Sequence, residues 1–179
     1  MTLRPSNRKR NVWAVSLLDV QPTDRVLEIG FGPGIAVREL ARRADRGLVV
    51  GIDHSEAMRA QAARRNVGAI RAGRVSLLVA SIDDLPAFDR PFDKVLAVNN
   101  MSMWPDPALR LKDLAGLLHD GGLIAIVSQP RTPGATAQTT AADARGIAGL
   151  LSAAGFAAIR VETLDLKPPV ACVLGTAPG

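Results

Sequence analysis

Short apolar runs recur along the chain at a steady interval: VLEIG (26–30), LVVGI (48–52), VSLLVA (75–80), KVLAV (94–98) and LIAIV (123–127). They are β-branched and apolar at consecutive positions, the pattern of strands covered on both faces rather than of a half-exposed sheet. Between them the apolar spacing changes to three and four in IAVRELARRA (35–44), SEAMRAQAARRN (55–66) and DPALRLKDLAGLL (106–118), which predicts amphipathic helices. Asp53, Ser55 and Asp106 are placed to cap helix N-termini, and Pro107 suits a first helical turn. Strand and helix in alternation imply right-handed crossovers and an open α/β sheet.

After LIAIVSQ the pattern loosens into PRTPGATAQTT (130–140), longer than an ordinary strand-to-helix loop, so residues 129–141 form a candidate lid. A helix over about 141–154 follows, then FAAIRVETL and VACVLGT, with the intervening KPP reading as the corner of an antiparallel hairpin that ends the sheet. No linker or internal repeat divides the chain. The expectation is a single domain over 1–179, with a basic, mobile N-terminal segment at 1–11.

Composition narrows the class. A chain of 179 residues, 47% hydrophobic and 22% charged, can bury a core without disulfides or a structural metal. The lone Cys172, inside VACVLG, excludes a disulfide framework, a zinc cluster and a CxxC redox pair, and no metal is expected. The basic MTLRPSNRKR followed by VWAVSLL has the polarity of a secretory signal, but the apolar run is short, meets Asp19 and lacks a small-residue cleavage site. No span is of membrane length, so the expected location is cytoplasmic.

The net charge of +5 is concentrated before residue 75, in Arg4, Arg8, Lys9, Arg10, Arg38, Arg42, Arg43, Arg59, Arg64, Arg65, Arg71 and Arg74. A basic face can attract nucleic acid. Without interleaved aromatic residues these arginines read better as the solvated sides of helices, and a nucleic-acid partner is the less favoured alternative.

Ligands of an open α/β sheet sit beyond the carboxyl ends of its strands. The first run ends in Gly30, Gly32 and Gly34, the second in Asp53, the third in Ser81, the fourth in Asn99 and Asn100, the fifth in Ser128 and Gln129. An acid about twenty residues beyond a glycine turn points to a nucleoside, the carboxylate accepting from two ribose hydroxyls. Taken alone, the turn and the acid fit a nicotinamide dinucleotide as well as other adenosyl cofactors. Spacing then discriminates: the G-x-G-x-x-G register that suits a pyrophosphate fails at Ile35. Glu28, two residues before the turn, would oppose a pyrophosphate yet suit a ligand carrying an ammonium.

At these residues the sequence resembles the class I S-adenosylmethionine-dependent methyltransferases. VLEIGFGPG is similar to that family's E-x-G-x-G-x-G first motif, and GIDHSEAM to its D-x-S-x-x-M segment on the second strand. ASIDDLPAFDRPFDKVLAVNNMSMWPDP resembles the adenine-site loop, fourth strand and acceptor-side loop, and LLHDGGLIAIV the turn into strand five. The match is nearest to the small UbiE-like group known as methyltransferase type 11 and covers about residues 12 to 175. It implies a single-domain Rossmann-like methyltransferase fold: a mostly parallel seven-stranded sheet with a C-terminal antiparallel hairpin and helices on both faces.

The resemblance also implies a site for S-adenosyl-L-methionine. Glu28 would meet the methionyl ammonium, and Gly30, Phe31 and Gly32 would line the methionyl part. Asp53 would hold the ribose, with His54 and Met58 beside ribose and adenine. Ser81, the backbone amide of Ile82 and Asp83 would face the adenine edge, where many relatives carry Asp at the position of Ser81. Asn99 would lie beneath the methionyl chain.

Methyl transfer from a sulfonium is an in-line displacement with a good leaving group, so positioning supplies much of the rate and a general base is optional. On the acceptor side the candidates are Asn100, Met103, Trp104, Asp106 and Gln129, with Met101 and Trp13 as further apolar wall. Trp13 reads better as helix packing, and Asp106 as a helix cap. His119, before Asp-Gly-Gly, should cap a helix at the opposite end of the sheet, which leaves no histidine as an evident base. The expected reaction is methyl transfer to a small-molecule acceptor. The alternatives are an RNA- or tRNA-modifying methyltransferase and a non-catalytic cofactor-binding subunit; a homodimer is compatible with either.

Overall fold

A computed structural model describes residues 5–179 of the chain. Its elements run α1 (Pro5–Leu17), β1 (Arg25–Ile29), α2 (Ile35–Arg43), β2 (Leu48–Asp53), α3 (Glu56–Arg65), α4 (Val67–Arg71), β3 (Val75–Val79), β4 (Phe92–Val98), α5 (Pro107–Leu117), β5 (Leu118–Ser128), α6 (Ala137–Ala153), β6 (Ala157–Leu164) and β7 (Val170–Thr176). The strands form one sheet in the order β3-β2-β1-β4-β5-β7-β6. β1 through β5 pair in parallel, and β7 runs antiparallel to both β5 and β6. The strand order reverses between β1 and β4, the position at which such sheets open a crevice for ligand.

Period-two alternation sends successive side chains of each strand to opposite layers. Leu27 and Ile29, Val50 and Ile52, Val95 and Ala97, and Ile124 and Ile126 join Leu111 and Leu114 of α5 and Ala144 and Leu151 of α6. Val26, Val49, Leu96, Ala125 and Val127 join Ala14 and Val15 of α1, Val37 and Leu40 of α2, and Ala62 of α3. Both faces are therefore covered, which is why the strand sequences carry so few polar residues. Glu28 follows Leu27 and so belongs to the α1/α2 side, 2% exposed among residues that are otherwise apolar.

Two of the three expected caps hold, at Ser55 and Asp106, while Asp53 ends β2 and leaves the N-cap of α3 to Ser55. Ser55 Oγ accepts from the Met58 amide at 3.3 Å, and Asp106 Oδ1 from the Leu109 amide at 3.1 Å with Pro107 opening α5. Cys172 is fully buried, and burial pushes its thiol up to about 12, which leaves it an inert core group.

Several expectations are corrected. Residues 5–11, expected as part of a mobile segment, form the first turns of α1, whose Ala14 and Val15 are buried; residues 1–4 lie outside the described part. The candidate lid is shorter than 129–141, because α6 begins at Ala137 behind a Thr136/Thr139 capping box. His119 caps no helix: β5 starts at Leu118, and the register shifts between Phe92 and Lys94 to admit the added residues. Its Nε2 lies 2.8 Å from Asp93 Oδ1 while Asp93 Oδ2 accepts from the Arg25 amide at 2.7 Å, so His119 ties strand starts together at the amino edge. The Asp120 carbonyl, and then Asp93, raise its pKa above the ordinary histidine value.

Gly51 illustrates how tightly the α1/α2 layer is fitted: a Cβ there would lie 2.8 Å from Phe31 Cδ1 and 3.0 Å from Leu77 Cδ2. Gly51→Ala is expected to lower stability by about 1–3 kcal/mol through overpacking. Thermal unfolding should show the drop, and the drop should shrink in a Phe31→Leu background if Phe31 is the obstructing side chain.

Candidate active site

The turn that leaves β1 holds Gly30, Gly32 and Gly34 at φ of 71°, 49° and 77°, the left-handed region that strains other residues. Their surroundings separate their tasks. A Cβ at Gly30 would collide with the side-chain amide of Asn100, and one at Gly34 would lie 2.6 Å from Ala62 Cβ of α3, so both glycines permit the protein to pack on itself. A Cβ at Gly32 would meet nothing within 4 Å. That open direction belongs to a cleft of about 160 Å³ bordered by Glu28, Gly32, Val98, Asn7 and Arg10 of α1, and Arg131.

Asp53, at the end of β2 and 8% exposed, closes the turn from the other side. Its Oδ2 accepts from the Gly32 amide at 2.8 Å and its Oδ1 from the Ser55 amide at 2.9 Å. The glycine turn and the second-strand acid are thus in direct contact. Each carboxylate oxygen keeps a further lone-pair direction, so these bonds orient the group without exhausting it.

Glu28 lies on the cleft wall with its Oε2 buried and without a partner. Burial raises its pKa well above the ordinary 4.5, the negative charge of Asp53 pushes the same way, and the Val37 amide partly offsets them. An orphaned buried carboxyl oxygen beside an open glycine is a site built for a cation that the chain itself does not provide. Among the described residues Arg10 could have supplied one, but its bonds go elsewhere: Nη1 donates to Gln129 Oε1 and Nη2 to Asn7 Oδ1, each at 2.6 Å.

The other residues named from sequence divide. His54 follows Asp53 beyond the end of β2, with its side chain 80% exposed and Nδ1 3.8 Å from Asp53 Oδ1. Met58 is partly buried on α3 against the α1/α2-side core. Ser81 Oγ donates to Asp83 Oδ1, which lowers the Asp83 pKa, and the Asp84 amide donates to the Ser81 carbonyl at 3.1 Å. Ile82, 8% exposed, anchors this small turn to the core beside β4. Asn99 sits at φ 56° with Oδ1 accepting from the Gln129 amide at 2.6 Å and Nδ2 buried without a partner.

Phe31 borders the cleft but is 3% exposed, with its ring held against Gly51 as part of the α1/α2 layer; its wall is mainly structural. Most of the acceptor-side candidates make bonds within the protein. Asn100 donates from Nδ2 to the Ile29 carbonyl at 2.5 Å and accepts from Trp104 Nε1 at 3.0 Å, which bolts the turn after β4 under the glycine turn. Trp104 is 7% exposed in the α5/α6 layer, Asp106 is occupied as a cap, and Gln129 spans Arg10 and the Pro168 carbonyl. Of that set Met103 alone, 69% exposed, presents a free side chain. Sequence reading did not select Asn7, Arg10, Asn11 or Arg131 for the site, because their polar and basic character reads as a solvated helix or loop face.

With this geometry in place, comparison with known proteins is decisive for the family. The family model described as a methyltransferase domain matches residues 26–122, from β1 through the turn into β5. The chain belongs to the methyltransferase family. An uncharacterized methyltransferase, YdaC, of Bacillus subtilis is 35% identical over 162 residues, covering 90% of this chain and 87% of its own. The ubiquinone/menaquinone biosynthesis C-methyltransferase UbiE of Geotalea daltonii is 29% identical over 122 residues, 66% of this chain and 52% of that protein, so the methyltransferase here spans about half of its length. In fold it matches the crystal structure of a SAM-dependent methyltransferase from Aquifex aeolicus with a TM-score of 0.73 at 19% identity, covering 98% of this chain and 100% of that one. S-adenosyl-L-methionine is accordingly the methyl donor of this methyltransferase. No helix among the described residues is long and apolar enough to cross a membrane, and no group of potential metal ligands is present among them.

The raised pKa of Glu28 has a signed consequence. A carboxyl that holds its proton more tightly folded than unfolded imposes no penalty below its ordinary pKa of 4.5, and destabilises the fold progressively as pH rises from there toward the folded pKa. Glu28→Gln, matching the protonated shape, should therefore unfold a few degrees higher than wild type at pH 7, with the difference disappearing near pH 3. Thermal melts of the ligand-free protein across pH 3–8 check this; a variant less stable at pH 7 would contradict it.

Proposed function

We propose that the methyltransferase transfers the methyl group of S-adenosyl-L-methionine to a small-molecule acceptor by in-line displacement, with the cofactor lying across the carboxyl ends of β1 and β2. The bond from the Gly32 amide to Asp53 Oδ2, beside the unpartnered Glu28 Oε2, is the observation that carries this reading. It joins an open approach for a ligand, an acid for ribose hydroxyls and an acid for an ammonium.

In this reading Glu28 binds the methionyl ammonium, and its burial makes the pairing strong because water competes little for either charge. Asp53 accepts from the ribose hydroxyls on lone pairs left by its two amide donors. Gly32 lets the methionyl chain pass against the backbone, while Gly30 and Phe31 hold the turn in shape. His54 and Met58 flank the ribose and adenine, the Ser81-Ile82-Asp83 turn offers a backbone amide and polar edge to the base, and Asn99 supports the methionyl chain from below. The bound sulfonium supplies an electrophilic methyl group and a neutral thioether leaving group.

The chain's contribution to the displacement is position and exclusion of water, for which no histidine is needed. His54 is solvent-facing, and His119 is engaged at the amino edge of the sheet. A small acceptor is favoured over RNA because much of the basic excess is spent within the protein. Arg74 donates to the Ala41 carbonyl at 2.7 Å, Arg43 pairs with Glu39, Arg59 with Glu56, Arg65 donates to the Pro33 carbonyl, and Arg10 is 6% exposed. The phosphate-tracking surface that RNA requires is correspondingly thinned.

Calorimetric titration with S-adenosylhomocysteine tests the site. Wild type is expected to bind, and Asp53→Ala to bind about 100-fold more weakly, the loss of two hydrogen bonds to a charged acceptor. Wild type without measurable binding would overturn the reading. For the reaction, a chiral methyl donor supplied with an acceptor found by radiolabel screening should give inversion at the methyl carbon; retention would exclude a single in-line step.

A further inference from the structure

The cleft contains a second buried charge that neither the family's motifs nor the reading above employs. Arg10 of α1 is 6% exposed, and its Nε is buried without a partner. Its two terminal nitrogens rest on neutral acceptors, Gln129 Oε1 and Asn7 Oδ1, and no carboxylate lies within ion-pair distance of it among the described residues. Residues 1–4 are Met, Thr, Leu and Arg and contain no acid that could supply one. Arg131, from the loop after β5, lines the same cleft and adds a second guanidinium rather than a counter-charge. Desolvation, and then the repulsion of Arg131, depress the pKa of Arg10 to about 10.

A guanidinium withdrawn from water without an anion is costly, and a second, exposed guanidinium at the rim of the same space adds repulsion to that cost. The cost is relieved only by an anion arriving in the cleft. On another wall of the same space of about 160 Å³, Glu28 holds a carboxyl oxygen without a partner. The two are not each other's partners: the terminal nitrogens of Arg10 donate to Gln129 and Asn7, and Glu28 Oε2 and Arg10 Nε are each left without a hydrogen bond. An unpaired acid and an unpaired base on separate walls of one small cleft are complementary to a molecule carrying an ammonium and a carboxylate on one carbon.

We propose that Arg10, backed by Arg131 and held in place by Gln129 and Asn7, binds the α-carboxylate of the cofactor's amino-acid end, so that α1 and the loop after β5 complete the cofactor site opposite Glu28. This rests on the cofactor lying against Gly32, as proposed above. It assigns α1 a binding task and makes the cleft a receptor for a zwitterion rather than for an ammonium alone. Arg suits the task because its fork can meet both oxygens of a carboxylate. Gln129 then acts through Arg10, as a positioning residue fixed at its far end by the Pro168 carbonyl at 2.8 Å.

The test compares S-adenosylhomocysteine with S-adenosyl-3-thiopropylamine, which lacks only the carboxylate. Wild type is expected to prefer the former by about 10- to 100-fold, the scale of a charge-assisted pair. In Arg10→Met the preference should fall below about threefold, with affinity for the decarboxylated ligand little changed; Arg10→Lys should recover part of it, and Arg131→Met, on an exposed loop, should reduce it less. A preference unchanged in Arg10→Met, or an equal weakening toward both ligands, would overturn the proposal. Should Arg10→Met fail to fold by circular dichroism, an unchanged preference in both Arg10→Lys and Arg131→Met overturns it instead. Wild type that binds both ligands equally removes this proposal while leaving the cofactor reading intact; wild type that binds neither removes both.

Discussion

One hydrogen bond organises the site: the amide of Gly32, in a turn that leaves β1, donates to the carboxylate of Asp53 at the end of β2. The two residues are 21 positions apart, and the parallel pairing of Ile29 with Ile52 brings them together. The bond fixes the turn against the neighbouring strand, and the Ser55 amide on the other carboxylate oxygen fixes Asp53 against the start of α3. A ligand arriving there meets polar groups already oriented, so little ordering remains to be done on binding.

Around that bond the glycine turn divides its labour between packing and opening. Gly30 leaves room for Asn100, whose amide reaches the Ile29 carbonyl and whose oxygen takes the Trp104 indole proton. Gly34 leaves room for Ala62, and Asn66 Nδ2 secures that contact by donating to the Gly34 and Ala62 carbonyls. Only the middle glycine faces empty space. The stability of the turn is thus supplied by the outer positions, and the site is kept free at the central one.

Charge burial on the same face is the other organising feature. Glu28 and Arg10 are both withdrawn from solvent and left incompletely bonded, each a cost to the empty protein. Such residues weaken the unliganded fold and strengthen it when complementary charge binds. The long side chain of Arg10 can be buried at all because α1 presses Ala14 and Val15 into the core one turn and more beyond it, fixing the helix across the cleft.

The sheet, its helices and the contact between the glycine turn after β1 and the acid of β2 were legible in the sequence because they depend on local periods and short spacings. Runs apolar on both faces require a covered sheet, Ser55 and Asp106 cap through contacts three residues away, and E-x-G-x-G-x-G sets an acid and an open turn within a few positions of each other. What tertiary structure alone decided was which polar side chains remain free. Asn100 and Gln129 read as acceptor-facing from their place after a strand, yet partners 71 and 119 residues away engage their polar atoms. Arg10 reads as solvated charge, yet the packing of α1 over the sheet buries it, and the path of the loop after β5 brings the exposed Arg131 to the same cleft. A side chain's hydrogen-bonding capacity is written in its residue type, but whether that capacity is spent inside the protein or kept for a ligand depends on long-range neighbours, and no local pattern encodes those.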